Sequence, residues 1–122
     1  MDQSTIDALR AQAVPPRLHI IDGKSVPASD GAVMEVISPI DGTVLTSMAR
    51  GTVADMQSAI ASARAAFEDG RWAGQPPGAR KKVLHKWADL IEANALELAV
   101  LGVRDNGTDI NMAIKAEPGS AA

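Results

Sequence analysis

The chain has no cysteine and no tyrosine, and only one phenylalanine and two tryptophans in 122 residues. Without cysteine there is no disulfide, no thiolate metal site and no cysteine nucleophile. The shortage of aromatics removes side chains that carry much of the packing area in most cores. Hydrophobic residues make up 46% of the chain, but 22 of them are alanines. A single domain of this length would bury about two thirds of the surface its unfolded chain exposes, and here few large groups are available to do so. A basic excess is missing too. The net charge of −3 and the pI of about 5.2 argue against binding to nucleic acid through phosphate contacts. No run approaches the ~20 apolar residues of a membrane span. The N-terminus carries an acid at position 2 and no long apolar stretch, unlike a signal peptide. A soluble cytoplasmic protein is the expectation, with neither membrane nor nucleic acid as partner.

What is present divides into a strand-rich front and a helical back. Residues Ser4 to Ala13 read as a short helix or arm, with Ser4 or Thr5 as N-cap, stopped by Val14-Pro15-Pro16. Strands are expected over about 18–49. In "LHIIDGKSVP" (Leu18 to Pro27), Asp22-Gly23 supplies the positive φ angles of a two-residue hairpin turn. "VMEVIS" and "TVLTSMA" flank a second turn at "PIDG" (Pro39 to Gly42).

Two amphipathic helices are expected next, over about 53–69 and 79–104. Thr52 and Asp55 have capping-box spacing at the start of the first, with Asp the shorter variant of the usual Glu. Met56, Ile60, Ala63 and Phe67 recur on one face of it. Leu84, Trp87, Ile91, Leu98 and Leu101 form one stripe on the second, which Asn106-Gly107 should end. A weaker helix begins around Ile110 to Lys115, and Pro118-Gly119 is expected to break it. A stripe as wide as that of the second helix must cover itself against something. The short strands and one other helix offer little cover.

Few residues suggest chemistry by themselves. "RKKVLHK" (Arg80 to Lys86) is basic, but the only neighbouring aromatic, Trp87, falls on the apolar stripe, so a solvated helix face accounts for it. His19 and His85 are too isolated to form a metal pair. His19 reads as a partly buried strand residue and His85 as part of the charged face. Trp72 and Trp87 read as packing anchors. "NGT" (Asn106 to Thr108) matches a glycosylation sequon that has no secretory context. "GRWAGQPPG" lacks the glycine spacing of a phosphate cradle.

Five motifs occur in order: "IDGKSVPA", "EVISPIDGTVL", "ADMQSAIASARAAFEDGRWA", "ARKKVLHKWADLIEANALELAVLGVRDNG" and "AEPGSAA". Together, from about Leu18 to Ala122, they resemble the N-terminal segment of the NAD(P)-dependent aldehyde dehydrogenase superfamily. Their spacing looks most like the branch that handles amino-aldehydes such as γ-glutamylaminobutyraldehyde or betaine aldehyde. The resemblance implies an α/β fold. Here it would be represented by an N-terminal α+β fragment, short antiparallel hairpins followed by two amphipathic helices over 18–122, behind an arm at 1–17. It departs from the family pattern after Asp105-Asn106-Gly107, where Thr108-Asp109 stand in place of the usual Lys-Pro.

The resemblance also implies a chemistry. Family members attack an aldehyde with a thiolate, pass hydride to NAD(P), and hydrolyse the thioester with the help of a carboxylate. The groups that do this lie in the family beyond the point matching Ala122. The expectations are therefore no catalytic residue and no cofactor site in this chain, and no activity for it alone. Some members hold Na⁺ or K⁺ with two carbonyls ahead of the (Asn/Ser)-Pro and the Asp of Asp-x-Gly. These positions correspond to Val36, Ile37 and Asp105, and oxygen ligands suit a hard cation. The alternative is that Val36 and Ile37 are strand core and Asp105 makes a hydrogen bond near a helix end. The expected partners are the remaining C-terminal part of the enzyme, or further copies through the apolar helix faces, since family members are dimers or tetramers. The rival reading is a stand-alone interaction module that binds a partner or a full-length relative through the same stripe.

Overall fold

A computed structural model describes residues 2–121, with side chains through residue 115. The side chains of the final "AEPGSAA" motif thus lie outside the described residues. α1 (Gln3–Ala11) opens the chain. Its N-cap is Asp2, ahead of the Ser4 or Thr5 that the sequence suggested, because the carboxylate accepts from Ser4 N at 3.3 Å and Thr5 Oγ1 at 3.1 Å. Those bonds also hold the Asp2 carboxyl below its usual pKa, the side-chain bond from Ser4 contributing most. β1 (His19–Ile21) and β2 (Lys24–Val26) pair antiparallel, with Ile21 opposite Lys24. The turn between them has positive φ at both Asp22 (53°) and Gly23 (70°), the geometry of a type I′ hairpin. β3 (Val33–Ile37) and β4 (Val44–Ala49) form a second two-stranded sheet around the Asp41-Gly42 turn. Thr43 carbonyl accepts from Ser38 N at 2.8 Å.

α2 (Val53–Glu68) starts at the complete capping box of Thr52 and Asp55. The single helix expected over about 79–104 is two helices, α3 (Pro77–Ala93) and α4 (Ala95–Asn106), separated at Asn94. Asn94 leaves helical geometry (φ −110°, ψ 16°), and its Nδ2 donates to the Leu90 carbonyl at 2.7 Å. The side chain thus shares the Leu90 carbonyl with the Asn94 backbone N–H, which donates to it at 3.2 Å and equally to the Ile91 carbonyl, as asparagine can where a helix is interrupted. The helical stretch also begins earlier than expected, at Pro77, where a missing N–H costs no ladder bond. α5 (Ile110–Ala121) passes through Pro118-Gly119 instead of breaking there. Proline costs the helix the bond its own N–H would donate and crowds the carbonyl four residues back without ending it here, and the glycine after it remains able to adopt helical angles.

The chain forms two compact units, Met1–Val14 with Ile37–Leu45 and Lys81–Ala122, and Pro15–Val36 with Thr46–Arg80. In the first, α4 packs against both α1 and α5. Its buried apolar residues are Ile6, Ala99, Val100 and Ala113, with Ser38 the buried polar one. Arg104 Nη1 donates to the Gln12 carbonyl at 2.8 Å and ties the last turn of α4 to the end of α1. In the second unit, Arg17 pairs with β4: its N–H reaches the Ser47 carbonyl and its carbonyl accepts from Ala49 N, both at 2.8 Å. Ala28 and Ala49 are buried there.

No large side chain among the described residues is fully enclosed, and α2 and α3 contain no buried residue. The apolar stripes face outward. Phe67 is 69% exposed, Ile60 60%, and Trp87 61%. Trp87 is therefore not a packing anchor within this chain, and Trp72, at 43% exposure, is only half covered. No helix of the described residues is long and apolar enough to cross a membrane.

Candidate functional site

The positions matched to the family's cation site sit at the ends of two elements. Val36 is half-buried and Ile37 exposed in β3, so the side chain of Ile37 is not strand core. Asp105 is exposed in the last turn of α4, and its carboxylate has no hydrogen-bonding partner among the described residues. A carboxylate there faces the negative end of the helix dipole, an unfavourable placement that a bound cation would offset. The helix ends at Gly107 (φ 78°), whose N–H donates to the Val103 carbonyl at 2.9 Å. A Cβ on Gly107 would lie 3.4 Å from Pro39 Cγ, so the end of α4 rests on the turn that follows β3. Asp109, where the family usually has proline, starts α5 by itself. Its carbonyl accepts from Met112 N and Ala113 N, and its carboxylate accepts from Asn111 N at 2.9 Å. The departure from Lys-Pro thus exchanges one helix-starting device for another.

A second cluster surrounds the start of α2. Thr52 N donates to Asp55 Oδ2 at 2.9 Å, and Asp55 N donates to Thr52 Oγ1 at 3.2 Å. The Asp55 carboxylate also accepts the Ser29 N–H, at 3.1 and 3.2 Å from its two oxygens, while the Ser29 and Thr52 hydroxyls lie 2.8 Å apart. The Thr52 N–H is the main reason the Asp55 carboxyl falls from 3.8 to about 2, with the Ser29 N–H adding to it. His19 stands beside this cluster, half-buried as the sequence suggested. Its Nε2 is 3.9 Å from Asp55 Oδ2 and has no hydrogen bond. The capping box is legible from residue spacing. The bond from Ser29, 26 residues away, has no local signal.

Two clefts flank α2. One, of about 200 Å³, is bounded by His19, Gly51, Thr52 and Asp55 with Met56 and Ala59. The other, of about 490 Å³, has Ile20, Ile21, Ala59, Ala63 and Ala66 along it and Arg71 at its rim. Arg71 Nε donates to Asp69 Oδ2 at 2.7 Å, and its Nη1 lies 3.8 Å from Asp22. The hydrogen bonds to Asp69 hold that carboxyl below its ordinary range and raise the guanidinium. The arginine is thus already matched by two carboxylates. These groups fasten a turn and a hairpin to a helix. His85 lies exposed on α3, away from any such cluster.

Comparison with known proteins accounts for this arrangement. The aldehyde dehydrogenase family model matches residues 26–121. The chain is similar to the NADP/NAD-dependent aldehyde dehydrogenase PuuC of Escherichia coli, at 37% identity over 94% of this chain and 23% of that protein. It is also similar to the Bacillus subtilis aldehyde dehydrogenase DhaS, at 40% identity over 75% of this chain and 18% of that one. Among solved structures it superposes on the γ-glutamyl-γ-aminobutyraldehyde dehydrogenase of Burkholderia cenocepacia with a TM-score of 0.92 and 37% identity. That match covers 99% of this chain and 25% of the other. The chain spans a quarter or less of the length of these relatives. Its hairpins, capped helices and outward-facing apolar stripes are the N-terminal segment of an α/β enzyme fold, and the chain belongs to the aldehyde dehydrogenase family.

Proposed function

We propose that these 122 residues are the N-terminal portion of an NAD(P)-dependent aldehyde dehydrogenase that oxidises an aldehyde to the carboxylic acid in the cytoplasm. The observation that carries this reading is the match of 94% of the chain to 23% of PuuC, combined with apolar faces on α2 and α3 that stay exposed among the described residues. Amino-aldehydes are the favoured substrate class, because the Burkholderia relative is a γ-glutamyl-γ-aminobutyraldehyde dehydrogenase. NAD(P), bound by the remainder of the enzyme, accepts the hydride. This chain contributes scaffold: the Asp55 cluster holds the hairpin face against α2, and α2 and α3 supply the surface on which the remainder packs. With no cysteine it supplies no thiolate, so it is inactive alone. The Val36 and Ile37 carbonyls and the Asp105 carboxylate would hold Na⁺ or K⁺, the charge of which offsets the acid at the end of α4. The complete enzyme is a dimer or tetramer.

The test is a chimera in which this chain replaces the matching segment of the Burkholderia enzyme. The expected result is aldehyde-dependent NAD(P)H formation by the chimera and none by the chain alone. A folded, cofactor-binding chimera without activity, or activity in the isolated chain, would overturn the reading. The exposed stripes also favour a second reading, a separate module that binds a full-length relative through α2 and α3. A complex of fixed stoichiometry with an intact relative would support that reading. Its absence alongside an active chimera would remove it.

A further inference from the structure

We propose that Asn106-Gly107 is a latent modification site: the end of α4 converts its own asparagine to aspartate and isoaspartate, at a rate set by how often its last turn opens. Three features at the site supply the chemistry. Asn106 is exposed. Gly107 has no side chain to shield its backbone nitrogen. The Thr108 N–H donates to Asn106 Oδ1 at 2.8 Å, so a donor already points at the oxygen on which negative charge develops when the side-chain carbonyl is attacked. In the reaction the Gly107 nitrogen bonds to Asn106 Cγ and gives up its proton. The Cγ–Nδ2 bond breaks and ammonia leaves with that proton, closing a five-membered imide. Water then adds to one of the two imide carbonyls and reopens the ring, to aspartate or to isoaspartate. The sum is one water in and one ammonia out, with no oxidant or reductant.

The fold restrains the same step. The attacking nitrogen is occupied, since the Gly107 N–H donates to the Val103 carbonyl at 2.9 Å. The turn that carries it is pinned by Arg104 Nη1 on the Gln12 carbonyl at 2.8 Å. The nitrogen becomes available only when the last turn opens, and local openings of helix ends are far easier than global unfolding. The product places a second carboxylate beside Asp105, at the negative end of the helix dipole.

The experiment incubates the full chain at mildly alkaline pH and follows Asn106 by peptide mapping. The readouts are the mass rise of amide-to-acid exchange and the separated isoaspartyl peptide. Slow conversion is expected in native buffer and faster conversion in urea. Arg104→Ala, kept folded as judged by circular dichroism, should convert roughly fivefold faster than the parent, the effect of losing one net hydrogen bond. In urea the two should convert at equal rates. Hydrogen exchange at the Gly107 amide should rise by the same factor, since both processes wait for the same bond to Val103. Three results would overturn the proposal: equal rates in native buffer and urea, no isoaspartate even in urea, or faster amide exchange in Arg104→Ala without faster conversion. If Arg104→Ala fails to fold, the native and urea rates of the parent chain still decide between the outcomes.

Discussion

The backbone N–H of Ser29 reaches both oxygens of the Asp55 carboxylate, at 3.1 and 3.2 Å, across 26 residues of chain. One carboxylate therefore does two tasks. It closes the start of α2 and it anchors the turn that precedes β3. Removing the cap hydroxyl alone, in Thr52→Ala, should lower the unfolding free energy by about 1 kcal/mol. Asp55→Ala should cost more than Thr52→Ala, because it also abandons Ser29. Urea midpoints at unchanged m-value give the comparison.

The same carboxylate should leave a signature in acid. Its pKa drops from 3.8 to about 2 on folding, mainly through the Thr52 N–H. A depressed carboxylate stabilises the native state above the unfolded pKa, and that contribution is lost as pH falls through the folded value. The stability gap between the parent and Asp55→Asn should therefore be constant above about pH 4 and shrink between pH 4 and about 2. Asp2, Asp41 and Asp69 are also depressed. They occur in both proteins, so the difference between the two isolates Asp55.

Two glycines should answer oppositely to alanine. Gly107 has φ +78°, and a Cβ there would press on Pro39 Cγ at 3.4 Å. Gly107→Ala should destabilise by about 1–2 kcal/mol, the left-handed cost for a residue with a side chain. Gly78 lies in the first turn of α3 with open space around the added carbon. Gly78→Ala should stabilise by about 0.5–1 kcal/mol. Thermal unfolding of the two variants checks both signs.

Residue size should matter little on α3 and greatly on α4. Trp87→Glu changes a side chain that is 61% exposed, and the isolated chain should stay within about 0.5 kcal/mol of the parent. Ala99 has no exposed surface, so Ala99→Leu should overpack the seam and cost about 1–3 kcal/mol. In the chimera the order of damage should change. On the proposed reading Trp87→Glu then puts a charge where the remainder of the enzyme packs, and activity should fall while the isolated chain remains stable.

The devices that were legible in the sequence are those whose physics is local. Asp22-Gly23 announces its hairpin because two consecutive positive φ angles demand such residues. Thr52 and Asp55 announce a helix start because each satisfies the other's backbone N–H. Asn94 is not legible as a break, since an isolated asparagine in a helical pattern is common and only its backbone angles show the departure. The start at Asp2 is not legible because Ser4 and Thr5 are equally good caps by type, and only the geometry shows them donating to Asp2 instead. Contacts made across long stretches of chain, Ser29 with Asp55 and Arg104 with Gln12, leave no spacing to read. The pattern of apolar residues gave the stripes but not their exposure. Periodicity tells which face is greasy and not what lies opposite it.

Gln12 meets Arg104 only after 92 further residues have been added. At a synthesis rate of about 5–20 residues per second, the first helix waits roughly 5–18 s for the partner that holds it. Nine residues are too few to stay helical unaided. Over that interval Ile6, buried in the finished unit, stays open to water.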